Sequence, residues 1–441
     1  MRSRDLTSNA LIATGGAIDI EASGNLVQDG GLLAAGGRGN ISAGGAVKVT
    51  VGGDLTLARI TSQARNQLAL DLDVTGTVRN AAGVTIFRLD ADEAGARTRL
   101  RLGAADPVGP LGLETQLEEL DVVVTRGDLH VNNQRTLLLT NAETKAGNLE
   151  VFAGSELTFQ IAKAAAGKTL ILASSGNVLA TDGVADADVI GLYAFTGSVA
   201  GVGENTMTVD TKAGAVVRIF AQDNLSLRET NGDLTLAYAI SEFENLSIEG
   251  SGRVTVGLAG AAKSLSLAAG DTLNVGRVGG ASVAIDDPVA RQLVRNDFYR
   301  TVLAGAPTTA TLGAGTALTA GIVTSKTRTA LSGSSITANL VDATPGDGLS
   351  VGAVGPKGGF AEMVNIAVLG AGPAPSMGCA SGRQTLSQIC ALAGRRSRCA
   401  IRPSPGMCGS RKTALPYSFR RPQVCVMRST TSMSLHRMAI P

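Results

Sequence analysis

The stretch Asp223–Val275, DNLSLRETNGDLTLAYAISEFENLSIEGSGRVTVGLAGAAKSLSLAAGDTLNV, decides the fold. It holds six short cores: Leu225-Ser226-Leu227, Leu234-Thr235-Leu236, Leu246-Ser247-Ile248, Val254-Thr255-Val256, Leu265-Ser266-Leu267 and Leu273-Asn274-Val275. Each is apolar–polar–apolar, the period of a strand with one buried face. Gly, Asp or Asn precede most of them, and these residues tolerate the positive φ that a tight turn asks for. The steps between first apolar residues are 9, 12, 8, 11 and 8, so short and long alternate. Every second core recurs after 21, 20, 19 and 19 residues. Two strands per period of about twenty predict a solenoid, because one coil cannot bury its Leu/Val row alone and must share it with its neighbours.

The same form extends outward in both directions. Ala17-Ile18-Asp19-Ile20, Val47-Lys48-Val49-Thr50-Val51 and Gly53-Asp54-Leu55-Thr56-Leu57 open the repeat, punctuated by glycine pairs such as Gly44-Gly45 and Gly52-Gly53. Leu68–Val74 is the longest alternation, which predicts Leu68, Leu70, Leu72 and Val74 inward and Asp71 and Asp73 outward. An offset of 96 sets Leu111 against Met207, Leu120 against Val216 and Leu129 against Leu225, which suggests a higher-order repeat of about five coils. The segment from Asp287-Pro288 through VARQLVRNDFYRTVLA to Gly305 breaks the period and carries helix start and stop signals. The expected architecture is all-β: a parallel β-solenoid over residues 1–285, a helical or loop insertion over 286–305, and an irregular Gly/Ala/Thr-rich continuation over 306–370. Coils stacked at about 4.8 Å would turn this length into a rod on the order of 70–90 Å.

Composition agrees with stacked coils. The 441 residues include 56 Gly, no Trp and 3% aromatics, while 44% are hydrophobic and mostly small and aliphatic. The net charge of +2 hides two opposed parts. Residues 371–441 carry eleven Lys/Arg and no Asp/Glu, whereas residues 1–370 carry a net −9. All five cysteines (Cys379, Cys390, Cys399, Cys408 and Cys425) lie in this tail, without a C-x2-C pair for zinc. Residues 371–441 are expected to be a disordered basic tail. A nucleic-acid or membrane-binding extension competes there with translation in a shifted reading frame. The simultaneous switch of every compositional index favours the second, and no nucleic-acid partner is expected. The N-terminal apolar run Ala10–Ala13 is too short for a signal peptide, and no run of 18 apolar residues offers a transmembrane helix. An exported protein would then have its address elsewhere, as an internal fragment would.

Few motifs carry chemistry. Ala162–Thr169, AKAAAGKT, has the spacing of a relaxed phosphate-binding loop, but the following Leu170-Ile171-Leu172 reads as a strand where such a loop needs a helix; a turn between coils explains it better. Arg126-Gly127-Asp128 spells a cell-attachment tripeptide, although Gly-Asp-Leu is already the coil-start signature and leaves Arg126 alone to be explained. Asp71, Asp73, Asp90, Asp92 and Glu93 are candidate carboxylates for calcium or acid–base work, and Asp54, Asp73 and Asp92 fall 19 residues apart, as a catalytic column would. Solvated outward acids are the plainer reading. With only His130 and His436, and no G-x-S-x-G, the sequence offers no catalytic residue, metal ligand or cofactor site. The period fits a leucine-rich repeat, but the L-x-x-L-x-L register is missing.

The Gly-Asp-Leu-Thr-Leu and Asn-Leu-Ser-Leu coils, the glycine pairs and the cysteine-free body resemble the filamentous-haemagglutinin-like exoproteins of Gram-negative bacteria over most of residues 8–280. The resemblance implies a right-handed parallel β-helix. It also implies export across the outer membrane, often through a transporter partner, and a role as a surface or secreted adhesin that meets a host-cell receptor or glycan. The rival expectation is a β-helix enzyme that degrades polysaccharide, or a glycan binder like a phage tailspike.

Overall fold

A computed structural model describes residues 1–8, 12–28, 40–80, 87–91, 93–104, 111–203, 205–286 and 299–343, and short segments between 348 and 400. Residues 1–404 form one compact unit. Its described part is all-β, with parallel strands stacked as a β-solenoid of about 14 turns, roughly 21 residues apart. Two long parallel sheets face each other across the core. In the first, Leu225–Glu229, Leu246–Gly250 and Ser264–Ala269 lie side by side, with Leu225 opposite Leu246 and Leu246 opposite Leu265. In the second, Leu234–Ser241, Val254–Gly260 and Leu273–Val278 do the same, with Leu234 opposite Val254 and Val254 opposite Leu273. The six predicted cores thus divide alternately between the two sheets. The sheets enclose one continuous aliphatic core, in which Leu225, Leu234, Leu246, Val254, Leu265 and Leu273 are each at most 1% exposed.

The coil period continues past Val275 more regularly than its composition suggests. Ala310 follows Leu265 in the first sheet and Leu318 follows Leu273 in the second, after which Ala310 pairs with Thr329 and Leu318 with Ile336. Strands persist at Ser376–Gly378, Gln384–Leu386 and Ile389–Ala393, inside the segment expected to be a disordered tail. Residues 401–441 lie outside the described residues.

The departure at 286–305 is not helical where it is described. Ala281–Asp286 and Tyr299–Ala304 are the two strands of an antiparallel hairpin, paired from Ala281–Ala304 to Asp286–Tyr299. Its residues 287–298, which hold most of the helix signal, lie outside the described residues. The pairing partner decided the outcome. Ala281–Asp286 alternates as a strand, and Tyr299–Ala304 finds its full set of backbone partners there. Gly279 and Gly280, at φ +67° and +69°, turn the chain out of the coil, and the Arg277 guanidinium donates to both of their carbonyls at 2.9 and 2.6 Å.

The hairpin closes a second core that composition did not announce. Phe152, Ile171, Tyr193, Phe195, Phe220, Tyr238 and Ile240 cluster apart from the main core, together with Ile285, Val302 and Ala304 of the hairpin. These side chains alternate with the inward Leu and Ile of the same strands, so they stand on the outer face of the second sheet. Tyr193 and Phe220 pack against Phe195 with ring centroids 6.3 and 6.2 Å apart. The signal was present in the sequence: Leu170–Ala173, Val189–Ala194 and Val216–Ala221 lose their polar alternation, the mark of strands buried on both faces.

Shortening a core residue of the decisive stretch should be costly. Leu246→Ala, at a site 1% exposed, is expected to cost about 2–4 kcal/mol. Ser247→Ala, on the exposed side of the same strand, should stay within about 0.5 kcal/mol. Urea denaturation midpoints check both.

Candidate functional site

The residue just before each strand builds the longest side-chain feature of the molecule. Asp5, Asn25 and Asp54 precede Leu6, Leu26 and Leu55, and each places Oδ1 on the backbone N–H at the matching position of the next coil. Asn25, Asp54 and Thr77 donate at 2.9, 2.8 and 2.8 Å. The pattern recurs from Asp128 to Asn148 to Thr169, from Asn177 to Ser198, from Asp233 to Arg253 and from Asn224 through Asn245 to Ser264. The Asp and Asn of the coil-start signature are therefore acceptors of a coil-to-coil ladder. They are not there to supply positive φ, which among the described non-glycine residues only Asn66 and Asp182 adopt.

Arg126-Gly127-Asp128 lies in one of these turns. Arg126 is exposed, Gly127 and Asp128 are half-buried, and Asp128 Oδ1 accepts the Asn148 N–H at 2.7 Å. A side chain at Gly147, one coil on, would collide with the Gly127 carbonyl, so the tripeptide is packed under the next turn. The phosphate-loop spacing at 162–169 is likewise a turn between strands Ile161–Lys163 and Thr169–Ser174, and the Gly167 N–H donates to the Asp188 carboxylate. An acid sits where that loop would need to receive phosphate.

The candidate carboxylates do not converge. Asp71, expected outward and solvated, is 9% exposed, because Arg99 of the next coil closes over it with bonds of 2.9 and 2.7 Å. That pairing raises the Arg99 pKa, mainly through the hydrogen bond to Asp71 and then through its charge. Asp73 stands between Thr50 and Arg101 in the ladder, not between Asp54 and Asp92. Asp54 belongs to a different strand position, accepting from the Thr77 N–H, and Asp92 lies outside the described residues. The local coils are longer than 19 residues, so the acidic column does not form. Asp90 is on the second sheet, paired with Arg59, and Glu93 pairs with Arg65 at 2.7 Å. Among the described residues, no group of three or more His, Cys, Asp or Glu is placed to hold a metal ion.

What forms instead is a set of columns with alternating sign. Along the outer face of the first sheet, Asp19, Lys48, Asp71, Arg99 and Asp121 occupy successive coils at one position. A second column runs Glu143, Lys163, Asp186. Burial pushes the Asp121 carboxyl up, but hydrogen bonds from Arg101 and Asn141 and the nearby Arg charges more than offset this, and its pKa is lowered. Similarly, the 96-residue offset does not relate equivalent coils. Leu111 and Leu129 are on the second sheet, while Met207 and Leu225 are on the first. The likeness arises because both sheets share one apolar–polar pattern.

One buried acid stands apart. Glu229, 1% exposed, accepts from the Thr211 Oγ1 at 2.6 Å, from the Thr211 N–H and from the Asn231 N–H. Burial raises its pKa, and these hydrogen bonds only partly counter that. One open groove, of about 930 Å³, crosses the coils beside it, with Glu156, Asn177, Asp223 and Asn245 around Leu179 and the half-exposed Val202. The groove exists because strands Val178–Leu179 and Val199–Ala200 are only two residues long, which sets that part of the wall back.

Comparison with protein-family models, with curated proteins and with solved structures found no match.

Two outcomes follow from this geometry. Asp128→Ala should cost about 1 kcal/mol and speed hydrogen exchange at the Asn148 amide, whereas Arg126→Ala should change neither. For Glu229, a raised folded pKa means its stabilising contribution is complete in acid, below the unfolded value, and is lost as pH rises through the folded value. Glu229→Gln should therefore match the parent in acid and melt higher than it at neutral pH, as read by thermal unfolding across pH.

Proposed function

We propose that this chain is the structural and adhesive rod of a secreted or surface-exposed bacterial exoprotein, one that attaches its cell to host cells, surfaces or other bacteria. The observation that carries the reading is the use made of the polar side chains. Asp and Asn at the coil starts are bound to the next coil's backbone, and the charged columns on the first sheet neutralise themselves from coil to coil. Residues spent on holding coils in register give a long, stiff, repetitive surface, which is what display needs and what a catalytic centre does not. The resemblance of the coil signature to filamentous-haemagglutinin-like exoproteins supports the same role, and with it an outer-membrane transporter as export partner and a host receptor or glycan as target. No helix among the described residues is long and apolar enough to cross a membrane.

The second reading, a glycan binder or polysaccharide-degrading β-helix, is favoured by one feature. The groove around Val202 offers carboxylates and carboxamides beside a small apolar floor, groups suited to sugar hydroxyls and the faces of sugar rings. Beads coated with the chain should adhere to epithelial or bacterial cells, while the same chain should release no reducing ends from a panel of polysaccharides. Reducing-sugar release that disappears with Asp223→Asn would replace the adhesive reading with the enzymatic one.

A further inference from the structure

Asn231-Gly232 is the single Asn-Gly pair in the chain. It forms the turn between Leu225–Glu229 and Leu234–Ser241, and both residues are exposed. Gly232 adopts φ +85°, a conformation open to glycine with little cost. Its N–H donates to no group among the described residues, while its carbonyl accepts the Gly252 N–H at 3.0 Å. With no Cβ on Gly232, nothing shields its amide nitrogen from the Asn231 side chain.

The ladder asparagines are protected in every one of these respects. Asn177, Asn224 and Asn245 each hold Oδ1 on the next coil's backbone. Bulky Val178, Leu225 and Leu246 follow them, and the N–H groups of Val178 and Leu225 are held at 2.9 Å by Ser198 and Asn245 carbonyls. Only Asn231 sits one step outside the ladder, next to Asp233, which carries the ladder bond to Arg253 in its place.

We propose that Asn231-Gly232 is a self-modification site, at which the Gly232 amide nitrogen attacks the Asn231 side-chain carbonyl carbon. The Gly232 nitrogen loses its proton, a C–N bond closes a five-membered succinimide, and the side-chain nitrogen leaves as ammonia. Water then opens the ring at either carbonyl, giving aspartate or isoaspartate. The net change is asparagine plus water to an acid plus ammonia, with no oxidation and no added cofactor. The acid appears beside Glu229, whose carboxylate accepts the Asn231 N–H at 3.3 Å. In the isoaspartate product, the backbone gains one carbon two residues before the buried Leu234. Gly252 packs so close to the Gly232 carbonyl that an added Cβ would lie 2.5 Å from it, so the ladder has no slack to absorb that carbon. The modification would mark, and loosen, one coil in the middle of the solenoid with time after synthesis.

Trypsin cleaves after Arg228 and Arg253, so the peptide Glu229–Arg253 reports the site and contains Asn245 as an internal control. The intact protein is aged in warm, mildly alkaline buffer, with and without urea, and the peptide is sequenced by mass spectrometry. The expected result is conversion at Asn231 and none at Asn245, with isoaspartate among the products, at a rate within about tenfold of the unfolded chain, since the turn needs no opening. Asn231→Gln, which would need a less favourable six-membered ring, should abolish the change and leave the melting temperature alone. Slower conversion than that, conversion at Asn245, or aspartate without isoaspartate would each overturn the proposal.

Discussion

In a parallel stack in register, every residue faces its own positional equivalent about 4.8 Å above and below. That single spacing governs the rest of the molecule. Inward, it rewards repetition, because Leu on Leu and Val on Val build a seamless aliphatic column from Leu225 through Leu246 to Leu265. Outward, it penalises repetition of charge, because like carboxylates directly opposite one another repel. The sequence answers with Asp19, Lys48, Asp71, Arg99 and Asp121, each sign balanced by the next. A strand slipped by one coil would set these columns out of phase, so the outer face helps to specify the register that the inner face only tolerates.

The turns solve a different problem. Where a coil leaves one sheet for the other, its backbone N–H groups cannot all join a ladder. Asp or Asn before each strand supplies the missing acceptor, and buried polar side chains finish the corners. Asn133, for example, accepts from the Leu117 N–H and donates to the carbonyls of Leu117, Arg135 and Thr136. This is why the same tripeptide can look like a recognition motif at Arg126-Gly127-Asp128 and be an architectural joint. The coil signature and the attachment signal share two of three residues, and the ladder bond to Asn148 uses one of them.

The coil repeat was legible because it depends on short-range pattern alone. The alternate spacing of Leu225, Leu234, Leu246, Val254, Leu265 and Leu273 maps onto alternate sheets without adjustment. What pattern could not reveal was anything set by a partner distant in sequence. Asp71 alternates as an outward residue, and only Arg99, 28 residues on, makes it a buried one. Tyr299–Ala304 follows a helix signal, yet its backbone partners are in Ala281–Asp286. The 19-residue spacing of Asp54, Asp73 and Asp92 failed because coil length drifts, and a fixed offset loses its place within a few turns. The outer seam of Phe152, Tyr193, Phe220 and Tyr238 was written in the lost alternation of four strands, but its lid lies in a separate stretch of chain.

These constraints bear on where function can reside. A residue inside the register is committed: changing it disturbs its own coil and both neighbours, so chemistry built there competes with stability. Freedom is found where the register is interrupted. The short strands Val178–Leu179 and Val199–Ala200 open the groove, and the glycine pair at Gly279-Gly280 releases the hairpin. At Asn231-Gly232 the turn is one residue longer than the ladder requires. All three lie within the same third of the solenoid, on coils whose cores are otherwise regular. A repetitive scaffold therefore need not dedicate a domain to recognition; a local change in strand length or turn length is enough to place unlike side chains on an otherwise uniform surface.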